Sequence, residues 1–286
     1  MEHSDNQMSG SIAQFYAPRL EAYDEMYAGE GKILPHWQVL MQELDQLGRE
    51  GLERRHLEAQ RLLRENGVTF NIYDGLHGMA RPWELDPIPL FISAEEWTII
   101  EAGLVQRAEL LNLVLADIYG PQQLLKEGLL PPELVFGHAG FQRSCVGSIK
   151  AGDRSLTICS SNLARGPDGR MWVIDDRAQS PSGAGYALEN RMVMTRIAPA
   201  LFRDCHVRRL AGFFQPFRDR LASLAPQNRE DPRIVVLTPG PYSPSYFEHA
   251  YLANYLGYTL VQGDDLSVRD GRVWLKSLEG LHQVDV

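Results

Sequence analysis

A strand, a loop, a helix and a second strand follow one another between residues 234 and 261, and this order limits the possible folds more than any other stretch. Residues 234–237 are all apolar, which is typical of strands in the middle of a parallel sheet. Residues 245–256 have a helical pattern, and residues 259–261 form the next strand. Two parallel strands joined through a helix form a βαβ unit. The sequence therefore predicts an α/β (mixed α+β) chain, whose loop 238–241 lies where open sheets bind ligands.

A second informative stretch spans residues 158–191. Its Pro167-Asp168-Gly169 turn joins two short strands, and the second strand ends in Asp175-Asp176-Arg177. The segment Ser180-Pro181-Ser182-Gly183 follows, with two hydroxyl groups and backbone amides that can bind an anion. The residues alone leave two interpretations open: a ligand-binding loop, or a solvated surface hairpin.

Helical and alternating apolar spacing organise the rest of the chain. Helices are predicted at 35–66 (divided near Gly48), 94–119, 122–127, 186–194 and 210–224; strands at 68–73, 266–268 and 273–275; an extended proline-rich segment at 81–89; and irregular β-structure at 134–160. Ser93 and Glu96 form a predicted capping box, and the apolar stripe that follows them is expected to be core. We expect a loose arm over 1–33, a main domain over 34–228 and a βαβ unit over 229–286, with a linker near 225–232.

Charge and composition exclude several classes of protein. The formal net charge is −9 with a pI near 5.4, which argues against broad binding to nucleic acids or anionic membranes. No apolar run approaches the roughly 20 residues of a membrane helix, and the N-terminal residues have no signal-peptide core. The three cysteines are widely spaced, without a metal pattern. We therefore expect a cytoplasmic protein.

Seven motifs together resemble the circularly permuted type 2 ATP-grasp family, whose relatives include the synthetase domain of glutathionylspermidine synthase. The motifs occur in the family order: Arg81-Pro82-Trp83-Glu84-Leu85-Asp86-Pro87, Ser93-Ala94-Glu95-Glu96-Trp97, Ala116-Asp117-Ile118-Tyr119-Gly120, Pro167-Asp168-Gly169-Arg170, Pro181-Ser182-Gly183 running to Leu188-Glu189-Asn190-Arg191, Leu237-Thr238-Pro239-Gly240-Pro241, and Tyr246-Phe247-Glu248-His249-Ala250. The resemblance implies a portion of a permuted ATP-grasp core followed by an incomplete Rossmann-like pre-ATP-grasp unit. Because family members continue beyond the equivalent of Val286, we expect that more chain normally follows and that residues 1–286 alone are inactive.

The resemblance also implies an activity. The family looks like carboxylate–amine ligases that use ATP and Mg²⁺, form an acylphosphate and join a peptide-like carboxylate to an amine. The site residues that it implies are Asn162, Asp175 and Asp176 for the metal; Arg165 and Arg177 as catalytic cations; and Ser180, Ser182, Gly183, Glu189, Asn190 and Arg191 for substrate.

Two departures from the family pattern weaken the expectation that this hairpin binds magnesium. Asn162 stands where the family has an acid, and Arg177 stands where it has an oxygen ligand; a guanidinium cannot bind Mg²⁺ but can hold phosphate or carboxylate. Glu189, Asn190 and Arg191 could equally form a network at a helix N-terminus, and Asp117 and Glu248 are expected to pack or cap.

An alternative function is a degenerate, non-catalytic homologue that binds a peptide or a protein partner, because part of the carboxylate set is missing. A Rossmann-type dinucleotide enzyme is disfavoured because no GxGxxG motif occurs, and a serine hydrolase because no GxSxG motif occurs.

Overall fold

Turn-forming glycines and prolines divide the chain into helices and short strands. The computed structural model describes residues 16, 22–28, 31–74, 77–149, 154–225 and 230–286, with the backbone alone at 71–74 and 77–80. Most of the predicted arm, and residues 226–229 of the predicted linker, lie outside these residues. Within the described part of the arm, Tyr16 stacks on Tyr27 with 5.5 Å between the ring centroids.

The helices are α1 (Pro35–Glu65), α2 (Ala94–Ile118), α3 (Gln123–Lys126), α4 (Pro132–Phe136), α5 (Ala184–Ile197), α6 (Pro199–Asp204), α7 (Ala211–Ser223) and α8 (Tyr246–Leu256). The strands are β1 (Tyr27–Ala28), β2 (Lys32–Ile33), β3 (Thr69–Asp74), β4 (His77–Pro82), β5 (Ser160–Arg165), β6 (Met171–Arg177), β7 (Val235–Leu237), β8 (Thr259–Val261), β9 (Leu266–Arg269), β10 (Arg272–Ser277) and β11 (Gly280–Gln283). The mixed α/β class predicted from the sequence is confirmed.

The chain divides into two units: a first unit of Asp24–Phe91 and Ser182–Val286, and a second unit that contains Ile92–Pro181 and Tyr23. Residues on both sides of the predicted boundary at 228/229 belong to the first unit. The predicted division into domains stays a prediction.

The apolar core of the first unit lies where α1 meets α5 and α6. Leu40 in α1 and Val193 in α5 are 2% and 1% exposed, and Leu201 of α6 is buried in the same cluster. Gly48 interrupts α1 with φ 61° and ψ −177°, a conformation that favours glycine. The predicted division near this glycine is therefore confirmed.

The predicted βαβ unit is present in the first unit. Strands β7 and β8 pair in parallel, with Val235 opposite Thr259. Helix α8 connects the two strands and ends at Gly257, which has φ 76°. The backbone N–H of Val235 donates to the carbonyl of Val286 at 3.0 Å, so the last residues run beside β7. Strands β9, β10 and β11 form an antiparallel sheet.

The second unit is built on α2 and the β5–β6 hairpin. Ser93 caps α2 by accepting the N–H of Glu96 at 3.1 Å. Asp117, near the other end of α2, accepts the N–H groups of Gln123 and Leu124 at the start of α3, as the capping expectation required.

Several predicted elements need correction. Arg81 and Pro82 end β4, which pairs with β3, so the extended proline-rich segment starts after them. The described residues of 134–160 are not β-rich: α4 and a short 3₁₀ helix (Arg143–Cys145) occupy part of this stretch, and only Ser160 lies in a strand. Strand β11 was not predicted. Leu110, which was expected in the core stripe of α2, is exposed on the same face as Ile99 and Leu113.

Candidate functional site

A tight turn closes the β5–β6 hairpin where the sequence predicted it. The N–H of Gly166 donates to the carbonyl of Arg170 at 2.8 Å, and the N–H of Gly169 donates to the carbonyl of Gly166 at 2.9 Å. Gly169 has φ 79°, which disfavours any residue with a side chain. The turn fixes the register of the two strands that carry the predicted metal ligands.

A β-bulge controls which face of the hairpin each acid occupies. Asn162 pairs with Asp175, whereas the next residue, Leu163, pairs with Val173. Ile174 is therefore the extra residue of a bulge, and side chains on either side of a bulge lose the strict alternation of a strand. Ile174 is 65% exposed, Asp175 is also exposed, and Asp176 is half-buried on the opposite face. The two adjacent aspartates thus face different surroundings.

Asp176 is held within the second unit. Its carboxylate pairs with the guanidinium of Arg107 in α2 and accepts the hydroxyl of Ser161 at 2.6 Å. The hydrogen bonds from Arg107 and Ser161 lower the pKa of Asp176. The thiol of Cys159 has a raised pKa because of burial and the nearby Asp176 carboxylate. The predicted set of three metal ligands is therefore not brought together.

Asn162 and Asp175 form a smaller set on the exposed face. The Asn162 amide nitrogen donates to Asp175 Oδ1 at 2.7 Å. The Asn162 carbonyl oxygen and Asp175 Oδ2 therefore remain as oxygen ligands for a metal. Mg²⁺ is commonly held by one or two carboxylates together with substrate phosphates and water. These two residues fit that requirement. Arg177 lies two residues after Asp175 on the same strand, about 7 Å further along the backbone.

Arg165, predicted as a catalytic cation, has a structural position. Its guanidinium pairs with Glu96 near the start of α2, donates to the carbonyl of Gly169 at 2.9 Å and lies 5.1 Å from the ring centre of Tyr23. Only 10% of the side chain is exposed. These contacts tie the turn of the hairpin to the N-terminal end of α2 and turn the guanidinium inward.

The serines of the predicted substrate loop fall in different units. Ser180 belongs to the second unit and has φ 44°, and Ser182 is the first residue of the first unit's second segment. Both side chains are exposed. The structure therefore supplies two accessible hydroxyl groups, one in each unit.

The amides of the loop already bind a carboxylate. Glu248 Oε1, from α8, accepts the N–H groups of Gly183 at 2.6 Å and Gly185 at 2.9 Å. Gly183 is the N-cap residue of α5 and supplies no side-chain cap. The capping role expected for Glu248 is confirmed, and the anion bound by these amides comes from the protein itself.

The remaining predicted substrate residues have partners within the first unit. Glu189 is 1% exposed and accepts a hydrogen bond from Asn66. Asn190 accepts the indole N–H of Trp83 at 2.8 Å. Arg191 lies over the ring of Phe202. Burial lowers the pKa of Arg191. These contacts join α5 to Asn66, Trp83 and Phe202, and none of the three involves the loop before α5. Both the network that fixes this loop and a role in substrate binding stay predictions.

An aromatic cluster surrounds this network and was not predicted. Tyr186 stacks on Trp83 at 4.3 Å and donates its hydroxyl to the carbonyl of Thr69 at 2.8 Å. Burial and the Glu248 charge raise the pKa of Tyr186 to about 12. Burial, with the Glu189 carboxylate nearby, also raises the pKa of Tyr251. Both phenols stay neutral near pH 7 and donate hydrogen bonds.

Arg107 is another residue that sequence reasoning missed. The signal was present, because Arg107 follows Ile100 and Leu104 at helical spacing and so places a charge inside the apolar stripe of α2. Such a charge needs a partner. Among the described residues, no group of three or more histidines, cysteines and acids is arranged to hold a metal ion.

The chain contains an acid-bearing hairpin, a glycine loop that opens a helix, and a following βαβ unit, which are the features expected of a permuted ATP-grasp chain. Residues 89–286 match the family described as circularly permuted ATP-grasp type 2. The chain belongs to this family, as the seven motifs predicted.

Three relatives, two of them mycobacterial and one from Synechocystis, match most of the chain. The chain is 42% identical over 272 residues to an uncharacterized protein of Mycobacterium tuberculosis strain H37Rv, covering 92% of this chain and 31% of that protein. It is 37% identical to an uncharacterized protein of Synechocystis, covering 92% of this chain and 55% of the relative. A Mycobacterium leprae protein is 36% identical, with 93% and 46% covered. The chain thus spans between about a third and about half of the length of these relatives. None of the helices in the described part of the chain has the length and apolar character needed to cross a membrane.

Proposed function

We propose that this chain is part of an ATP-dependent carboxylate–amine ligase that acts through an acylphosphate. The observation that carries the proposal is the family match over residues 89–286, which contains both the hairpin and the loop at the start of α5. In this reaction a carboxylate oxygen attacks the γ-phosphorus of ATP and ADP leaves. An amine nitrogen then attacks the acyl carbon, loses a proton and displaces phosphate, so that an amide forms.

The exposed face of the hairpin is the proposed place for the phosphates. Asp175 and Asn162 would hold Mg²⁺ through their remaining oxygens, and a bound Mg²⁺ neutralises charge on the phosphates. Arg177 would donate to a phosphate oxygen, because a guanidinium forms strong charge-assisted hydrogen bonds with phosphate. Asp176, held by Arg107, would keep β6 in place beside α2.

The acceptor is proposed to be a small peptide-like molecule with a carboxylate, and the second substrate an amine. The exposed hydroxyls of Ser180 and Ser182 can donate hydrogen bonds to a carboxylate. The three cysteines are all free, which supports the proposed cytoplasmic location.

Calorimetric titration of the full-length protein with ATP, with and without Mg²⁺, tests the nucleotide step. We expect saturable binding that requires Mg²⁺. A second assay measures ADP release with a set of short peptides and with hydroxylamine, which converts an acylphosphate into a hydroxamate. Hydroxamate formation that requires both ATP and a peptide carboxylate is the expected result, and binding of ATP without Mg²⁺ dependence would contradict the proposed phosphate site.

The second candidate is a non-catalytic homologue that binds a peptide or protein partner. The engagement of Asp176 with Arg107 on the other face of the hairpin favours it, because only two residues of the predicted metal set remain together. Absence of any Mg-ATP binding, in a chain that melts cooperatively, would favour this candidate over the ligase.

A further inference from the structure

The N-terminus of α5 receives its capping carboxylate from a distant helix. Glu248 lies in the first turn of α8, more than 60 residues away in sequence, and one of its oxygens accepts the amides of Gly183 and Gly185. The side chain is 2% exposed, and its other oxygen, Oε2, has no hydrogen-bond partner among the described residues. A carboxylate is therefore enclosed at the start of a helix of 14 residues.

The N-terminal end of a helix is a natural anion site. Its first amides have no partner within the helix, and the helix dipole favours a negative charge there. Gly183 cannot supply a capping side chain, so the anion must come from elsewhere. The close fit also leaves no room for a side chain at position 185, where an added Cβ would lie 2.8 Å from Cγ of Glu248. Glu248 thus occupies the place that a ligand anion would take.

His249, the residue after Glu248 in α8, contacts the loop 238–241 that follows β7. His249 Nδ1 and Thr238 Oγ1 are 3.0 Å apart, and the same Oγ1 accepts the N–H of Gly240 at 3.2 Å. One turn of α8 therefore contacts both the start of α5 and the loop after β7. This arrangement suits a role in fixing loop positions.

We propose that Glu248 is a positioning residue that fills the anion site at the start of α5 and so fixes the loop 182–185. This inference rests on the proposed function only in assigning that loop to the acceptor. It narrows the proposed acceptor site, because the amides of Gly183 and Gly185 already bind Glu248 and are not available to a substrate carboxylate. An acceptor carboxylate would meet the exposed hydroxyl of Ser182 instead.

Hydrogen exchange of the Gly183 and Gly185 amides in the full chain, followed by NMR, tests the inference. In Glu248→Ala we expect exchange at both amides to accelerate by about 10- to 100-fold, as for the loss of hydrogen bonds to a charged group. Sodium acetate should restore part of the protection in Glu248→Ala by entering the vacated site. Sodium chloride at the same ionic strength should not, and neither salt should change the wild type.

Two further variants keep the inference testable if Glu248→Ala does not fold. Glu248→Gln retains an acceptor oxygen and the side-chain volume, so it should keep most of the protection. Gly185→Ala should accelerate exchange at Gly183 by displacing the carboxylate, whereas Gly212→Ala, whose added Cβ would meet nothing within 4 Å, should not.

Unchanged exchange in Glu248→Ala and Gly185→Ala, or equal effects of acetate and chloride, would overturn the positioning role. Calorimetry of the wild type with Mg-ATP separates this result from the proposed function. Failure of ATP binding with intact acetate rescue would reject the ligase and leave Glu248 as the positioning residue of the loop.

Discussion

The guanidinium of Arg107 in α2 binds the carboxylate of Asp176, while the adjacent Asp175 faces away from α2 into solvent. A bulge at Ile174 produces this separation, because it adds one residue to β6 opposite Asn162. The same bulge places Asp175 beside Asn162 and leaves both residues accessible. The Arg107–Asp176 ion pair is therefore expected to affect stability, and the accessible Asn162–Asp175 pair is expected to affect ligand binding.

Asp176→Asn should lower the melting temperature by a few degrees at pH 7, because the amide loses the charge that Arg107 binds. The folded-state pKa of Asp176 is depressed, so its stabilisation is present above its unfolded pKa of about 3.9 and is lost as the pH falls towards the folded value. Thermal unfolding from pH 7 to pH 2.5 should show the two melting temperatures converging below about pH 4. A constant difference across this range would contradict the ion pair. Asp204→Asn, which removes a surface partner of Arg203, serves as the control and should have a smaller effect at pH 7.

Asp175→Asn should weaken Mg-dependent ATP binding by about tenfold or more and leave the melting temperature nearly unchanged, because Asp175 is exposed and its proposed role is to bind the metal. Calorimetric titration of ATP at several Mg²⁺ concentrations measures the effect. The control is Asp168→Asn, which changes an acid in the turn of the same hairpin. Equal losses in the two variants would point to a general effect of charge instead of a metal ligand at Asp175.

The sequence predicted features that depend on neighbouring residues. The turn at Gly169, the cap at Ser93 and the kink at Gly48 each follow from the backbone preferences of one or two residues. The βαβ unit followed from an apolar run, a helical run and a second strand. The family assignment added the meaning of the hairpin, which the residues alone left open.

The arrangement of the site could not be predicted in the same way, because it depends on contacts between distant residues. The bulge at Ile174 shows only in the pairing of two strands. Arg107 and Asp176 are 69 residues apart, and Glu248 and Gly183 are 65 residues apart. A local sequence pattern carries no information about which distant residues pair. The charge of Arg107 within an apolar stripe indicated only that this side chain needs a partner.

Gly48→Ala should destabilise the chain by about 1–3 kcal/mol, because the conformation at Gly48 is accessible almost only to glycine. An added Cβ would meet nothing within 4 Å, so the cost comes from the backbone alone. Gly103→Ala, in the regular part of α2 and also with open space, should instead stabilise by up to about 1 kcal/mol. Denaturant unfolding of both variants should therefore give changes of opposite sign. Changes of the same sign would show that Gly48 does not interrupt α1 in solution.

Arg177→Asn should weaken ATP binding if the guanidinium holds a phosphate, as we propose. If Arg177 instead stands only where the family has an oxygen ligand, the new amide oxygen would add to Asn162 and Asp175, and Mg-dependent binding would strengthen. The control is Arg170→Asn. It removes an exposed cation that lies in the turn of the same hairpin and pairs with Asp168 in the native chain. Removing a charge-assisted hydrogen bond to phosphate should cost about 1.5–3 kcal/mol, or roughly 10- to 100-fold in affinity, and Arg170→Asn should cost much less. Because the two outcomes for Arg177→Asn have opposite signs, one calorimetric comparison at fixed Mg²⁺ decides whether this side chain binds an anion or displaces a metal ligand.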